Sequence, residues 1–230
     1  MYTRSSAFYD ICYHFKDYAS EAEALLRMIQ ELIPRASTLL ELACGTGKFL
    51  TKFQDHFYVE GLDINPEMLD IARSRCRSPV HVARMEDFAL GRRFDVIVCL
   101  FSSIAYVRTQ EALNSTVRCI SRHLSPGGIV LIEPWFKPEE YWVSHTKMNV
   151  ADTDDVKLAW MYRQGIEGNI AILDIHYIVG TPLGVESFGE RHELGLFRQE
   201  DYQRAFEDAA LQLEFRQTGK HGIYIGKLKE

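Results

Sequence analysis

No two cysteines in this 230-residue chain stand in a C-x-x-C spacing, and the five present (Cys12, Cys44, Cys76, Cys99, Cys119) form an odd set. That excludes a zinc ribbon and a disulfide frame and points to a reducing cytoplasm. Basic charge is also short: 26 Lys and Arg stand against 32 Asp and Glu, a net charge of −6. A chain without a phosphate-neutralising surplus is a poor binder of bulk nucleic acid. Long apolar runs are missing. The longest, Phe94 to Val107, contains Asp95 and two serines and is too short to span a bilayer. The start, Met1-Tyr2-Thr3-Arg4-Ser5, has no basic-then-apolar signal pattern. Internal repeats, low-complexity segments and polar linkers are lacking too. The expectation is a soluble protein of one domain. What the chain does have is a mild excess of rings, 13 Phe, 11 Tyr and 3 Trp. They fill either a core or a pocket.

Read for period, the first 135 residues alternate short β-branched runs with longer amphipathic ones. Thr38 to Ala43 reads as a strand that stops at Cys44-Gly45-Thr46-Gly47. Tyr58 to Asp63, Pro79 to Ala83, Phe94 to Leu100 and Ile129 to Glu133 read as four more. Asn65-Pro66-Glu67 opens a helix to about Arg75, with a cap, a proline at the first position and an acid in the first turn. Thr109 to Leu124 reads as another helix, stopped by Ser125-Pro126-Gly127-Gly128. This order predicts an α/β fold, a parallel sheet with right-handed crossovers. After Pro134 the period changes. Val156 to Tyr162 and Ile170 to Val179 read as a hairpin through Gly165 to Asn169, and Glu186 to Phe197 as a further antiparallel strand. A helix follows from about Gln199, with Tyr202, Phe206, Ala209, Ala210 and Leu213 on one face. Gln212 to Lys229 reads as two closing strands. The expected architecture is therefore a doubly wound sheet with an antiparallel β insert after strand five.

The turn at Gly45-Thr46-Gly47 admits three ligand readings. A Walker phosphate loop needs a glycine where Leu42 stands and Ser or Thr where Phe49 stands, so that reading fails. A dinucleotide fingerprint needs glycine at Leu50, so that reading is weak. The third is a nucleoside cofactor without pyrophosphate, its ribose hydroxyls held by Asp63 at the end of the second strand. Glu41, in the first strand, is costly to bury unless it finds partners.

E-L-A-C-G-T-G from Glu41, G-L-D-I-N-P-E-M-L from Gly61 and L-S-P-G-G-I-V-L-I from Leu124 together resemble the class I S-adenosylmethionine-dependent methyltransferases, over residues 38 to 133. The resemblance implies a seven-stranded Rossmann-like sheet, S-adenosylmethionine as cofactor and no metal. It places Gly45 and Gly47 at the methionine part and Asp63, with Ile64 beside it, at the ribose. Ala43 and Leu100 would touch the cofactor through backbone, and Glu41 joins the same set. Met85 would pack on adenine, whereas Arg84 replaces the acidic residue that usually accepts from the adenine amino group.

A narrower resemblance runs nearly end to end. A-F-Y-D from Ala7, K-D-Y from Lys16, F-S-S-I-A-Y from Phe101, I-E-P-W-F from Ile132 and the long run from His192 to Phe206 are similar to bacterial N,N-dimethyltransferases of dTDP-linked amino sugars. It implies a single methyltransferase domain: an N-terminal lid (1–35), a cofactor core (36–135), a substrate-side insert (136–198), and a final helix and hairpin (199–230). It implies a homodimer as well. Tyr9 and Tyr18 would lie near the methionine end, Tyr2 at the phosphates, and Ser103, Tyr106 and Trp135 at the sugar. Tyr106, with His145, His176 or His192, is the candidate for receiving the amine proton. The family binds pyrophosphate with an arginine in a G-R-G turn, and here His221 stands there with Lys220 beside it. The chain lacks the [DNS]-P-P-[YF] motif after its fourth strand, which argues against DNA and protein-amide substrates. The alternatives are an N- or O-methyltransferase of a nucleotide-free small molecule, a nicotinamide dehydrogenase, and a cofactor-binding regulator without activity.

Overall fold

The computed structural model describes residues 3–143 and 146–228, so Tyr2 and His145 lie outside the described residues. Two helices, α1 (Tyr9–Cys12) and α2 (Tyr18–Leu32), precede β1 (Thr38–Leu42). Then follow α3 (Leu50–Phe53), β2 (Tyr58–Asp63), α4 (Pro66–Arg75), β3 (Val80–Val82), β4 (Phe94–Cys99), α5 (Gln110–His123) and β5 (Leu124–Ile132). The helix starts follow local chemistry. Asp17 caps α2 by accepting from the Ser20 N–H at 3.0 Å. Asn65 caps α4 by accepting from the Glu67 N–H at 2.9 Å, and Pro66 takes the first position, where its missing N–H costs nothing.

The insert is β6 (Thr146–Asp152), β7 (Lys157–Glu167), β8 (Ile170–Thr181) and β9 (Gly184–Gly195), a four-stranded antiparallel sheet in sequential order. The chain ends with α6 (Gln199–Asp208), β10 (Leu211–Arg216) and β11 (Ile223–Leu228). The main sheet has seven strands, in the order β3-β2-β1-β4-β5-β11-β10. Its first five are mutually parallel, and β11 runs antiparallel to both neighbours. This is the expected doubly wound sheet with its insert after strand five.

Both faces of the main sheet are covered. Leu40, Leu42, Ile97 and Val130 pack with α5 and α6, whereas Leu39, Val96, Val98 and Leu131 pack with α2, α3 and α4. Two-sided burial explains the almost unbroken apolar runs of these strands, and each such side chain contributes about 1.5–3 kcal/mol. Glu41 sits in this setting, on the Leu39 side of β1.

The structure departs from the sequence reading at two points. The strand β6 was not anticipated, because its apolar residues Met148 and Val150 face outward, against the usual pattern. The helix α6 stops at Asp208. Ala210 takes a left-handed φ of 57° and Leu213 falls in β10, so the apolar spacing beyond Ala209 is that of a strand and not of the helix face. Of the candidate histidines that the sequence left open, His176 and His192 sit on opposite faces of the insert sheet, the first exposed and the second 1% exposed.

The sheet order positions the site. From β1 the chain moves out to β2 and β3 on one side, then returns to β4 and β5 on the other. The crevice beyond the carboxyl ends of β1 and β4 is where open α/β sheets bind ligands.

Candidate active site

The turn after β1 is built from left-handed backbone: φ is 53° at Ala43, 54° at Gly45 and 75° at Gly47. The two glycines serve different ends. A Cβ added at Gly45 would meet nothing within 4 Å, because that position opens onto a cavity. A Cβ at Gly47 would lie 3.1 Å from the Ala72 Cβ, so Gly47 lets the turn pack on α4. Gly47 does not line the cavity, contrary to the sequence reading.

The cavity measures about 290 Å³ and opens over Gly45, Asp63, Ile64, Arg84, Met85 and Tyr106. It adjoins a smaller one of about 30 Å³ bordered by Tyr18, Glu41, Lys48 and Leu100. Tyr9, Ala43, Gly45 and Ser103 border both, making them two ends of one groove. Rings crowd the smaller end: Tyr13 meets Phe101 edge-on at 5.1 Å, and Tyr18 meets Phe49 at the same distance. Some of the ring excess therefore belongs to the site.

Asp63 is aimed by backbone. One carboxylate oxygen accepts from the Gly45 N–H at 2.9 Å and the other from the Asn65 N–H at 2.8 Å. A carboxylate has about four acceptor positions, so two remain for a vicinal diol. Burial raises its pKa against the lowering effect of those amides. Glu41 is more isolated. Its Oε2 is buried without a hydrogen-bond partner among the described residues. Burial, and then Asp63, push its carboxyl well above the usual range. Arg84 pairs with Glu86 at 2.7 Å, and both line the larger cavity. The carboxylate missing at position 84 is thus brought to the same wall two residues later.

The loop after β4 is held in strained form. Phe101 and Ser102 have φ of 52° and 58°, each costing about 1–3 kcal/mol for a residue with a side chain. Two contacts offset that cost: Glu133 accepts from the Phe101 N–H at 2.7 Å, and the Ser102 hydroxyl donates to the Pro134 carbonyl at 2.7 Å. The following 3-10 turn, Ser103–Val107, then directs Ser103 and Tyr106 to the groove. The Tyr106 hydroxyl lies 2.9 Å from Nδ1 of His192.

The N-terminal segment is tied across the turn. Asp10 accepts from the Thr46 hydroxyl at 2.8 Å, pairs with Arg75, and has the Lys48 ammonium 3.8 Å away. Lys48 therefore offers a cation at the smaller end, and Glu41 an acid.

A family model described as "Methyltransferase domain" matches residues 39–128. A Streptomyces venezuelae dTDP-3-amino-3,4,6-trideoxy-alpha-D-glucopyranose N,N-dimethyltransferase is 36% identical over 225 residues, 95% of each chain. The crystal structure of Streptomyces venezuelae DesVI superposes with a TM-score of 0.91 at 36% identity, covering 96% of this chain and 97% of that one. This chain belongs to the class I S-adenosylmethionine-dependent methyltransferases. A second similar structure, S-adenosylmethionine-bound CalS10, an amino pentose methyltransferase from Micromonospora echinaspora, has a TM-score of 0.87 at 28% identity. It covers 100% of this chain and 98% of that one. S-adenosylmethionine is the cofactor, and the nicotinamide and regulator readings are set aside.

The groove of this methyltransferase fits the cofactor on its own evidence. Gly45 is open where a Cβ would intrude, and an orphaned buried carboxyl oxygen of Glu41 awaits a partner. Asp63 would hold the ribose, Met85 the adenine, and Glu41 with Lys48 the methionine end.

The acceptor-side residues split into two groups. Ser103 and Tyr106 line the groove, whereas Trp135 and His221 line neither cavity. Those two rings stack at 5.9 Å, and the Phe136 ring meets His221 at 4.6 Å. Burial, then Lys220, lower the His221 pKa, so this methyltransferase carries a neutral imidazole where its relatives were expected to carry an arginine. The Lys220 ammonium lies 4.5 Å over the Phe136 ring and is the cation at that corner. Sequence reading missed Lys48, Glu86 and the tie through Asp10. Only Glu86 left a trace, as an acid displaced by two positions within Ala83 to Phe88.

Proposed function

We propose that this methyltransferase methylates the amino group of a nucleotide-linked amino sugar. The observation that carries the reading is the end-to-end similarity to the Streptomyces venezuelae dimethyltransferase, which spans the insert as well as the cofactor core. When bound, S-adenosylmethionine supplies an electrophilic methyl on a sulfonium that is already a good leaving group. The chain's own task is placement. Holding a neutral amine in line with the methyl is worth about 7–11 kcal/mol of the barrier. Ser103 borders both ends of the groove and Tyr106 the larger, so an amine between them meets hydroxyl groups that orient it. Lys220, rather than His221, serves as the cation for the acceptor's phosphates. Five free, buried cysteines accord with a reducing cytoplasm. A homodimer belongs to the same reading, supported by Met148, Val150, Met161, Ile178 and Val185, which leave the outer face of the insert sheet apolar and exposed.

The test is mass-spectrometric counting of methyl groups added to dTDP-amino sugars, free amino sugars, amino acids and phenols. Methylation of the dTDP-linked amines, weakened by added dTDP, is expected. Methyl transfer to phenols or free amino acids alone, indifferent to dTDP, would overturn the reading.

A further inference from the structure

Behind Tyr106 stands a buried pair that cofactor binding does not use. His192 Nδ1 meets the Tyr106 hydroxyl at 2.9 Å, and its Nε2 lies 3.4 Å from a Glu190 carboxylate oxygen. The two side chains are 1% and 5% exposed. They lie two residues apart on β9 and so share its inner face. Glu190 is also gripped from the N-terminal segment: its Oε1 accepts from the Thr3 N–H at 3.1 Å, the Thr3 hydroxyl at 3.0 Å and the Ser5 N–H at 3.0 Å. Burial alone would raise this carboxyl. The hydrogen bonds from His192, Ser5 and Thr3 outweigh it and hold Glu190 well below the ordinary carboxylate range.

An ionised carboxylate only accepts hydrogen bonds. Its contact with Nε2 therefore places the imidazole proton there and leaves a lone pair on Nδ1. The Tyr106 hydroxyl donates to that lone pair and faces the groove as an acceptor. Hydroxyl, imidazole and buried carboxylate stand in the order of a hydrolase triad, whose third member fixes the histidine tautomer.

We propose that His192, oriented by Glu190, is a positioning residue that makes Tyr106 the receiver of a proton from the substrate amine. This rests on the N-methylation reading above. An amine arriving as ammonium gives one N–H proton to the Tyr106 oxygen while the hydroxyl proton of Tyr106 passes to His192 Nδ1. The result is a neutral amine, a neutral phenol and an imidazolium beside Glu190. The amine lone pair then forms the N–C bond as the C–S bond breaks, its electron pair staying on sulfur. The proton leaves His192 to water through Tyr106 when product departs.

The other titratable groups against the pair are Tyr9 and Cys12 of the N-terminal segment and Tyr177 of β8, with Arg191 and Glu193 on the strand's other face. Burial raises Tyr9, Cys12 and Tyr177 and keeps them protonated at neutral pH. None of these three therefore sets an acid limb in the pH profile of kcat/KM.

The experiment is steady-state kinetics of the full chain on a dTDP-amino sugar that the wild type methylates. His192→Ala is expected to lower kcat about a hundredfold while the KM for S-adenosylmethionine stays within about twofold. Added to Tyr106→Phe, it should cost nothing further, because both act through one hydroxyl. In each variant the acid limb moves up toward the free amine's own pKa. Glu190→Gln is expected to move kcat and the limb in the same directions. If His192→Ala fails to fold, His192→Gln carries the same expectations at closer volume. Nitrogen NMR of the ligand-free protein gives a readout without turnover: His192 should be the Nε2–H tautomer, with its Nδ1 signal shifted in Tyr106→Phe. A near wild-type kcat, an additive loss in the double variant, an unmoved limb or an Nδ1–H tautomer would each overturn the proposal. If the wild type methylates no amino sugar, the substrate reading fails instead, and the NMR result still decides whether the histidine is set as described.

Discussion

Asp63→Ala separates cofactor recognition from stability, because the structure makes the two effects differ in size and origin. Both oxygens of Asp63 already accept a backbone N–H, at 2.9 and 2.8 Å, so the carboxylate is fixed before any ligand arrives. Two ribose hydroxyls donating to an ionised carboxylate are worth about 1.5–3 kcal/mol each. The lower bound, about 3 kcal/mol, corresponds to roughly a 150-fold rise in Kd. Stability responds differently. Burial raises the folded pKa of Asp63 above its unfolded value of 3.8. For such an acid, folding is favoured below the unfolded value and loses stability as pH rises toward the folded value. At neutral pH the substitution removes that penalty and also removes two amide contacts. The two changes oppose each other, leaving about 1 kcal/mol or less, or roughly 2–4 °C in Tm. Calorimetry with S-adenosylhomocysteine and its 2′-deoxyribose analogue reads the effect. The wild type should discriminate between the two ligands, and the variant should not. Discrimination that persists in Asp63→Ala would refute the ribose assignment, and a large fall in Tm would mean that the carboxylate is chiefly structural.

Glu41→Gln tests the second buried acid. Its pKa stands well above 4.5 through burial and then Asp63, so wild-type stability falls as pH rises from that value. Without cofactor, the variant's Tm should decline less between about pH 5 and 8, while S-adenosylmethionine binds more weakly; equal slopes would contradict the burial argument. His221→Arg restores a planar fork beside Trp135 and should lower the KM for a dTDP-amino sugar about fivefold to tenfold, or about 1–1.4 kcal/mol. Indifference of both variants to dTDP would count against a nucleotide acceptor. Met161→Glu combined with Ile178→Glu should convert a dimer to a monomer in sedimentation velocity. A wild-type monomer, or a variant that stays dimeric, would remove the insert face from consideration.

The sheet and cofactor turn were legible because their signals are local. A cap, a proline at the first helical position and a glycine turn each act within four residues, and strands buried on both faces advertise themselves as apolar runs. The misses are pairings at long range. Whether His176 or His192 faces inward depends on a register set by neighbouring strands, Met161 opposite His176 and Leu173 opposite His192. One residue of slip would exchange them. Gly47 looked like a ligand contact because its spacing is that of a nucleotide loop, yet its neighbour is Ala72, 25 positions on. Glu86 was hidden because motif position, not geometry, drew attention to Arg84. The neutral state of His221 depends on Trp135 and Phe136, which meet it only after the chain has passed through the insert and α6.

The cost of this fold is concentrated where it binds. Three of the five left-handed residues other than glycine among the described residues, Ala43, Phe101 and Arg108, border the groove. Two acids whose ionised forms burial disfavours, Glu41 and Asp63, lie there as well. A chain optimised for stability alone would place none of these together. Each becomes favourable only with a partner: a diol for Asp63, an ammonium for Glu41. The cofactor supplies both, so its binding should recover part of what the empty groove costs, in addition to the mass-action stabilisation that any ligand brings. This also explains why Asp10, Arg75 and Thr46 pin the N-terminal segment across the turn. A strained turn holds its shape between turnovers only if something outside the cofactor restrains it.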